Sequence, residues 1–72
     1  MTKEEKIKLL EETFEVDDNT LNENTVLSQL EEYDSIAKLS LIVLFEDTFN
    51  KRLNKKTIDS FVTVSDILGI ME

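Results

Sequence analysis

The apolar positions of this chain recur at intervals that predict helices. Ile7, Leu10 and Phe14 stand at i, i+3 and i+7, one stripe of a helix whose wet side offers Glu4 and Lys8 as an i, i+4 ion pair. Thr2-Lys3-Glu4-Glu5 reads as a capping box, in which the Thr2 hydroxyl and the Glu5 carboxylate satisfy N–H groups left without partners by the first turn. A first helix therefore starts at Thr2 and stops near Glu15. Over residues 16–34 the stripe lapses, and Asp17, Asp18, Asn19, Asn22 and Asn24 favour turns because their short side chains bond nearby backbone. A long loop is expected, pinned to the core by Val16, Leu21, Val26, Leu27 and Leu30, with a short turn around residues 25–30.

Residues 35–50 contain neither Gly nor Pro, and Leu41, Ile42, Leu44, Phe45 and Phe49 cover a broad face, which predicts the central, most buried helix. Ile36 and Val43 lie seven apart at its edge, partly exposed beside Ser35. Lys51, Arg52, Lys55 and Lys56 follow as a basic patch, and Leu53 is expected to turn inward. A short helical turn over residues 55–60 is anchored by Ile58. Thr63-Val64-Ser65-Asp66 repeats the capping-box logic, and Val64, Ile67, Leu68 and Met71 form the inward stripe of a last helix over residues 64–71. Gly69 weakens the end of that helix by about 1 kcal/mol relative to Ala. The expected fold is all-α: four helices, the third short, with a long loop between the first two, in a single domain spanning residues 1–72.

Composition narrows the partners. A chain of 72 residues builds a small core, since folding at this size buries only about 60% of the unfolded surface. With no cysteine, neither a disulfide nor a thiolate metal site supplements it. The net charge of -8 is lopsided: residues 1–34 hold eleven acids against three lysines, and the remainder five acids against five bases. Such a surface repels phosphate backbones and anionic lipid, so nucleic acid and membranes are not expected partners, and basic protein surfaces are. No apolar run approaches the roughly 20 residues of a membrane span, and Met1-Thr2-Lys3-Glu4-Glu5 lacks the hydrophobic centre of a signal peptide. A cytoplasmic monomer is expected.

Candidate chemistry is sparse. The acids and amides of residues 17–31 do not fit a calcium loop, because Leu21 and Asn22 break the required alternation and glycine position, so no metal site is expected. With neither His nor Cys, a nucleophilic serine would need a Lys or carboxylate base, and Lys38 lies one helical turn from Ser35 with nothing in the sequence to lower its pKa. No catalytic residues are assigned and the chain is not read as an enzyme. A helix-turn-helix role conflicts with the charge of the first half. Asp34-Ser35 stays open to two readings. It caps a helix, or it presents a hydroxyl where free N–H groups and the positive end of the helix dipole favour an attached phosphate. In the second reading Asp34, which would repel that phosphate, serves as a contact for a modifying enzyme or its metal ion.

The stretch YDSIAKLSLIVLFEDTF, followed by LNKKTIDSFVTVSDILGIM, resembles the acyl carrier proteins and their carrier-domain relatives over nearly the whole chain. The family's Asp-Ser-Leu motif appears as Asp34-Ser35-Ile36. The aliphatic spacing of its second helix recurs in Leu39, Ile42, Val43 and Phe45, its acidic pair in Glu46-Asp47, and its closing phenylalanine in Phe49. The resemblance implies that Ser35 carries a 4′-phosphopantetheine arm taken from coenzyme A by a separate, magnesium-dependent phosphopantetheinyl transferase. The arm's thiol would then hold acyl groups as thioesters. It further implies that Ile36, Val43, Glu46 and Asp47 face acyl-transferring and acyl-modifying enzymes, and that acyl chains enter between the second and third helices near Phe45, Ile58 and Phe61. Glu32-Tyr33 replaces the Gly and small residue of the common fatty-acid carriers, Ser40 replaces an acid, and Lys55-Lys56 replace acids at the third helix. The resemblance leaves a fatty-acid carrier, a specialised carrier for a polyketide, peptide or surface-glycan pathway, and an aminoacyl carrier, and these departures point toward the second. The bulk of Phe45, Phe61 and Ile67 suggests a short acyl or aminoacyl cargo, D-alanine among the candidates. A rival of another class is an acidic helical interaction module without the arm.

Overall fold

Each of the four α-helices among the described residues begins where a polar side chain accepts from backbone N–H groups at its start. In a computed structural model, which describes residues 2–71, four α-helices follow in order: α1 (Lys3–Thr13), α2 (Ser35–Phe49), α3 (Lys55–Asp59) and α4 (Val64–Leu68), with a 3₁₀ turn at Leu27–Gln29 between the first two. The class is all-α, and among the described residues the sole extended pairing is an isolated bridge between Val26 and Thr63.

At α1 the Glu5 N–H donates to Thr2 Oγ1 (3.2 Å) while Thr2 N–H donates to Glu5 Oε1 (3.1 Å), the reciprocal box its sequence predicts. Asn54 Oδ1 receives the Thr57 N–H at 2.8 Å to start α3. At α4 the Asp66 carboxylate receives the N–H groups of Val62 (2.8 Å) and Thr63 (3.1 Å) through one oxygen. Those bonds, Val62's first, hold the Asp66 carboxyl below its ordinary value of 3.8. The bonds to Thr2, led by its backbone N–H, do the same for Glu5.

Left-handed residues close two of the helices. Glu15 (φ 58°) follows α1, with Val16 N–H returning to Glu11 O (3.0 Å) and Glu15 N–H to Glu12 O (3.2 Å). Asn50 (φ 53°) follows α2, and Lys51 N–H returns to Phe45 O at 2.9 Å. α4 is shorter than the 64–71 expected: it ends at Leu68 with Gly69 as its cap. Beyond that cap the chain continues in tighter turns, Ile70 N–H to Ile67 O and Met71 N–H to Leu68 O. The inward stripe is nonetheless complete, since Val64, Ile67, Leu68 and Met71 are all buried.

α1 packs on α2 and on α4, around one cluster that includes Leu10, Leu27, Leu41, Phe45 and Ile58. Each such side chain removed from water contributes about 1.5–3 kcal/mol. The long loop before α2 is held by more than its apolar residues. Leu27 N–H donates to Val62 O (2.9 Å), Val64 N–H to Thr25 O (3.0 Å) and Ser65 N–H to Glu23 O (3.0 Å), stitching the loop to the α3–α4 connection. From α1, the buried Glu11 adds a carboxylate that receives the Leu21 N–H at 3.0 Å. The ion pairs among the described residues are Lys3–Glu23 at 3.0 Å and Arg52–Glu46 at 3.5 Å. The Glu4–Lys8 pair expected from the sequence is not among them; both side chains are exposed, where such a pair gains little.

Candidate functional site

At the start of α2 the labour is divided between two adjacent side chains. Asp34 is the N-cap, in extended backbone, and its Oδ1 receives the Ala37 N–H at 2.9 Å, while its carbonyl receives the Lys38 N–H at 3.0 Å. Ser35 is therefore the first helical residue rather than the cap. It is exposed, and among the described residues its hydroxyl takes part in no side-chain hydrogen bond. Of the two readings left open for the pair, capping falls to Asp34 alone. An N-cap oxygen reaches back over the first turn, whereas a side chain one residue later already projects off the helix.

Two N–H groups of the first turn, those of Ser35 and Ile36, are left without intrahelical partners, as at any helix start. They stand at the positive end of a helix of 15 residues, beside a primary hydroxyl open to solvent. Chemically this is a place where a phosphate bound to Ser35 meets favourable backbone dipoles. The second Asp34 oxygen remains open to a cation or donor brought by a partner.

Ser35 also lines a cleft of about 290 Å³ between α2 and α3, together with Lys38, Leu39, Ile42, Lys55, Ile58 and Asp59. Lys38, Ile58 and Asp59 are shared with an adjoining cleft of about 500 Å³, whose other walls are Leu27, Ser28, Tyr33, Phe61 and Val62. Of the three residues expected around a cargo, Ile58 and Phe61 thus line this groove. Phe45 lines neither cleft. It is fully buried, lying four residues after Leu41 and eight after Ala37 on the core face of α2, with its ring 5.4 Å from that of Phe49.

The opposite face of α2 is apolar yet uncovered: Ile36 is 74% exposed, Leu39 61% and Val43 51%. At helical spacing these three make one stripe, a pattern that solvent does not reward. Asp47, four residues beyond Val43, continues it as an exposed acid, and Glu46 beside it is held at 3.5 Å by Arg52. The four residues expected to meet partners therefore all lie exposed on this side of the helix.

Sequence reasoning marked Tyr33 as a departure from the common carriers but gave it no structural role. Its ring meets Phe14 edge-on (5.5 Å between centroids, 75° between planes), and the Lys38 ammonium lies 5.6 Å from the ring centre. The hydroxyl is buried and has no hydrogen-bond partner among the described residues. Burial, with the charge of Asp59 as a lesser cause, raises the pKa of Tyr33 above its usual 10.0, so the phenol stays protonated at neutral pH. A buried hydroxyl without a partner costs about 1–3 kcal/mol. Its one sequence signal was an aromatic residue placed directly before the Asp-Ser pair.

Comparison with known protein families, with curated proteins and with solved structures gives no match. No group of three or more acidic, His or Cys side chains among the described residues is placed to hold a metal ion, and no helix among them is long and apolar enough to cross a membrane.

Proposed function

We propose that this chain is a carrier protein of the acyl-carrier type, a four-helix bundle that bears 4′-phosphopantetheine on Ser35. The observation that carries the proposal is the division of labour at α2: Asp34 closes the first turn, and Ser35 keeps an exposed hydroxyl at the positive end of the helix. A serine needed for folding would have its oxygen engaged, as Thr2 does. The adjoining α2–α3 groove, walled by Ile58 and Phe61, supports the same reading, because it gives cargo an apolar surface next to the attachment point.

In the attachment step Ser35 Oγ attacks the β-phosphorus of coenzyme A. A new phosphodiester bond forms, the pyrophosphate P–O bond breaks, the serine proton passes to a base of the transferase, and adenosine 3′,5′-bisphosphate leaves. The Ser35 and Ile36 N–H groups, free of intrahelical partners, would be the backbone donors available to that phosphate. The open oxygen of Asp34 is available to the magnesium ion that the transferase brings. Once attached, the arm supplies a thiol that holds acyl groups as thioesters, a chemistry that a chain without cysteine lacks. Ile36, Leu39 and Val43, bordered by Glu46 and Asp47, form the face offered to the transferase and to acyl-transferring and acyl-modifying enzymes. The apolar stripe supplies burial, and the acids select basic partner surfaces. With neither His nor Cys, the chain leaves catalysis to those partners.

The same exposed stripe favours a second reading, an interaction module whose helix face docks without any arm. Intact-mass measurement after incubation with coenzyme A, magnesium and a broad-specificity transferase separates the two. The carrier reading expects a single phosphopantetheine adduct that maps to Ser35 and is lost in Ser35→Ala. An unmodified protein favours the module.

A further inference from the structure

A phosphate on Ser35 enters a divided field. On the loop side stand Glu31, Glu32 and Asp34, all exposed, and each repels it. On the α3 side Ser35 shares a cleft with two lysines, Lys38 of α2 and Lys55 of α3. Lys38 is the nearer along the chain: residues three apart on one helix are surface neighbours, with Cβ atoms about 5–6 Å from each other.

Lys38 is also the lysine whose side chain is held. Its ammonium lies 5.6 Å from the centre of the Tyr33 ring, within the range of a cation–π contact, and that ring is fixed edge-on against Phe14. Lys38 is half-buried, whereas Lys55 is exposed. The ring face attracts the charge but leaves the N–H donors of the ammonium without an ordinary acceptor. Among the described residues, the lysines that form ion pairs or donate side-chain hydrogen bonds are Lys3 and Lys51, so the donors of Lys38 are unspent. Asp59, the acid of the same cleft, is not paired with it. A restrained cation loses less freedom on meeting an anion than a mobile surface lysine does. We propose, resting on the carrier reading above, that Lys38, seated on the Tyr33 ring, pairs with the phosphodiester of the arm and turns it away from Asp34 toward the α3 side. Lys38 acts as a positioning residue, and Tyr33 contributes its ring rather than its hydroxyl.

The arm brings the sole phosphorus atom of the modified protein, so its NMR signal reports on the phosphodiester itself. The test prepares wild type, Lys38→Gln and Lys38→Arg with coenzyme A, magnesium and a broad-specificity transferase. In wild type the phosphorus signal should move, relative to a free phosphodiester in the same tube, when salt is raised to about 0.5 M and screens the pair. In Lys38→Gln it should already stand at the high-salt position, and Lys38→Arg should behave as wild type. The rise in melting temperature from unmodified to modified protein should be about 2 °C larger in wild type than in Lys38→Gln, the size of a half-exposed ion pair in so small a domain. Each variant is its own reference, so any effect of Lys38 on the unmodified fold cancels, and the wild-type salt titration stands without any variant. A wild-type phosphorus signal indifferent to salt, or a rise in Lys38→Gln within about 0.5 °C of wild type, would overturn this inference and leave the carrier reading standing. Absence of any adduct on Ser35 would overturn both.

Discussion

The two halves of the molecule use their polar side chains in opposite ways. Around α1 and the loop that follows, polar groups are committed to the fold: Thr2 and Glu5 to each other's backbone, Thr13 Oγ1 to Leu9 O at 2.8 Å, and the buried Glu11 to Leu21 N–H. Around the start of α2 and its groove with α3, Asp34 and Asn54 serve as caps, but other groups are held in reserve. The Ser35 hydroxyl is exposed, the Tyr33 hydroxyl is buried without a partner, and the apolar stripe of Ile36, Leu39 and Val43 faces water. Groups that folding consumes explain stability; groups that folding leaves over show where function is to be sought. Thr2 and Ser35 condense the contrast, since one residue of register relative to the N-cap separates a hydroxyl spent on a helix from one available for chemistry.

Substitutions can break that contrast, and the largest effect is expected at Glu11. Glu11→Ala strands a buried Leu21 N–H and should lower unfolding free energy by about 1–3 kcal/mol in a denaturant titration. Glu11→Gln, which keeps an acceptor, should lose less. Asp34→Ala removes the cap of α2 and should cost about 1 kcal/mol, measured in the same way, with Asp34→Asn retaining most of the stability. A smaller effect is expected in acid. The Asp66 carboxyl is held below its ordinary 3.8 by two backbone N–H groups in the folded protein. Its contribution is therefore complete above the unfolded value and is lost as pH falls through the folded one. Neutralising the many acids relieves repulsion in wild type and variant alike. The stability difference between wild type and Asp66→Asn should thus shrink below about pH 4, as followed by thermal unfolding across a pH series. The smallest effect is expected at Ser35: Ser35→Ala should leave stability within about 0.5 kcal/mol of wild type. A loss equal to that of Asp34→Ala would mean that the hydroxyl is structural after all.

Much of this arrangement was legible in the sequence because local signals and tertiary packing agree. Thr2 to Glu5 and Thr63 to Asp66 announce helix starts, and the stripe Val64, Ile67, Leu68, Met71 faces inward throughout. The residues that escaped are those whose role depends on a distant partner. Glu11 lies between Leu10 and Phe14 on the inner side of α1, yet a glutamate beside a stripe reads as surface until the Leu21 N–H comes to meet it. The loop's attachment to Val62, Val64 and Ser65 is made by backbone, which leaves no mark on side-chain pattern. Lys51, read as a charge for the end of α2, in fact donates to Ile70 O at 2.9 Å and ties down the last turn. At the site, the Asp34-Ser35 pair was visible but its division of labour was not, since either side chain can cap when only the order is known. Phe45 was put beside the groove by the family resemblance alone, whereas the helical pattern had it on the broad buried face of α2, and there it lies.

The central claim is that the hydroxyl left over at α2 is the one the cell uses. Protein isolated from its native host, digested and mapped by mass spectrometry, addresses this without any added enzyme. The account predicts a phosphopantetheine group on the peptide containing Ser35 and on no other serine or threonine. A Ser35 that is unmodified in cells, in a protein that also resists attachment in vitro, would contradict it.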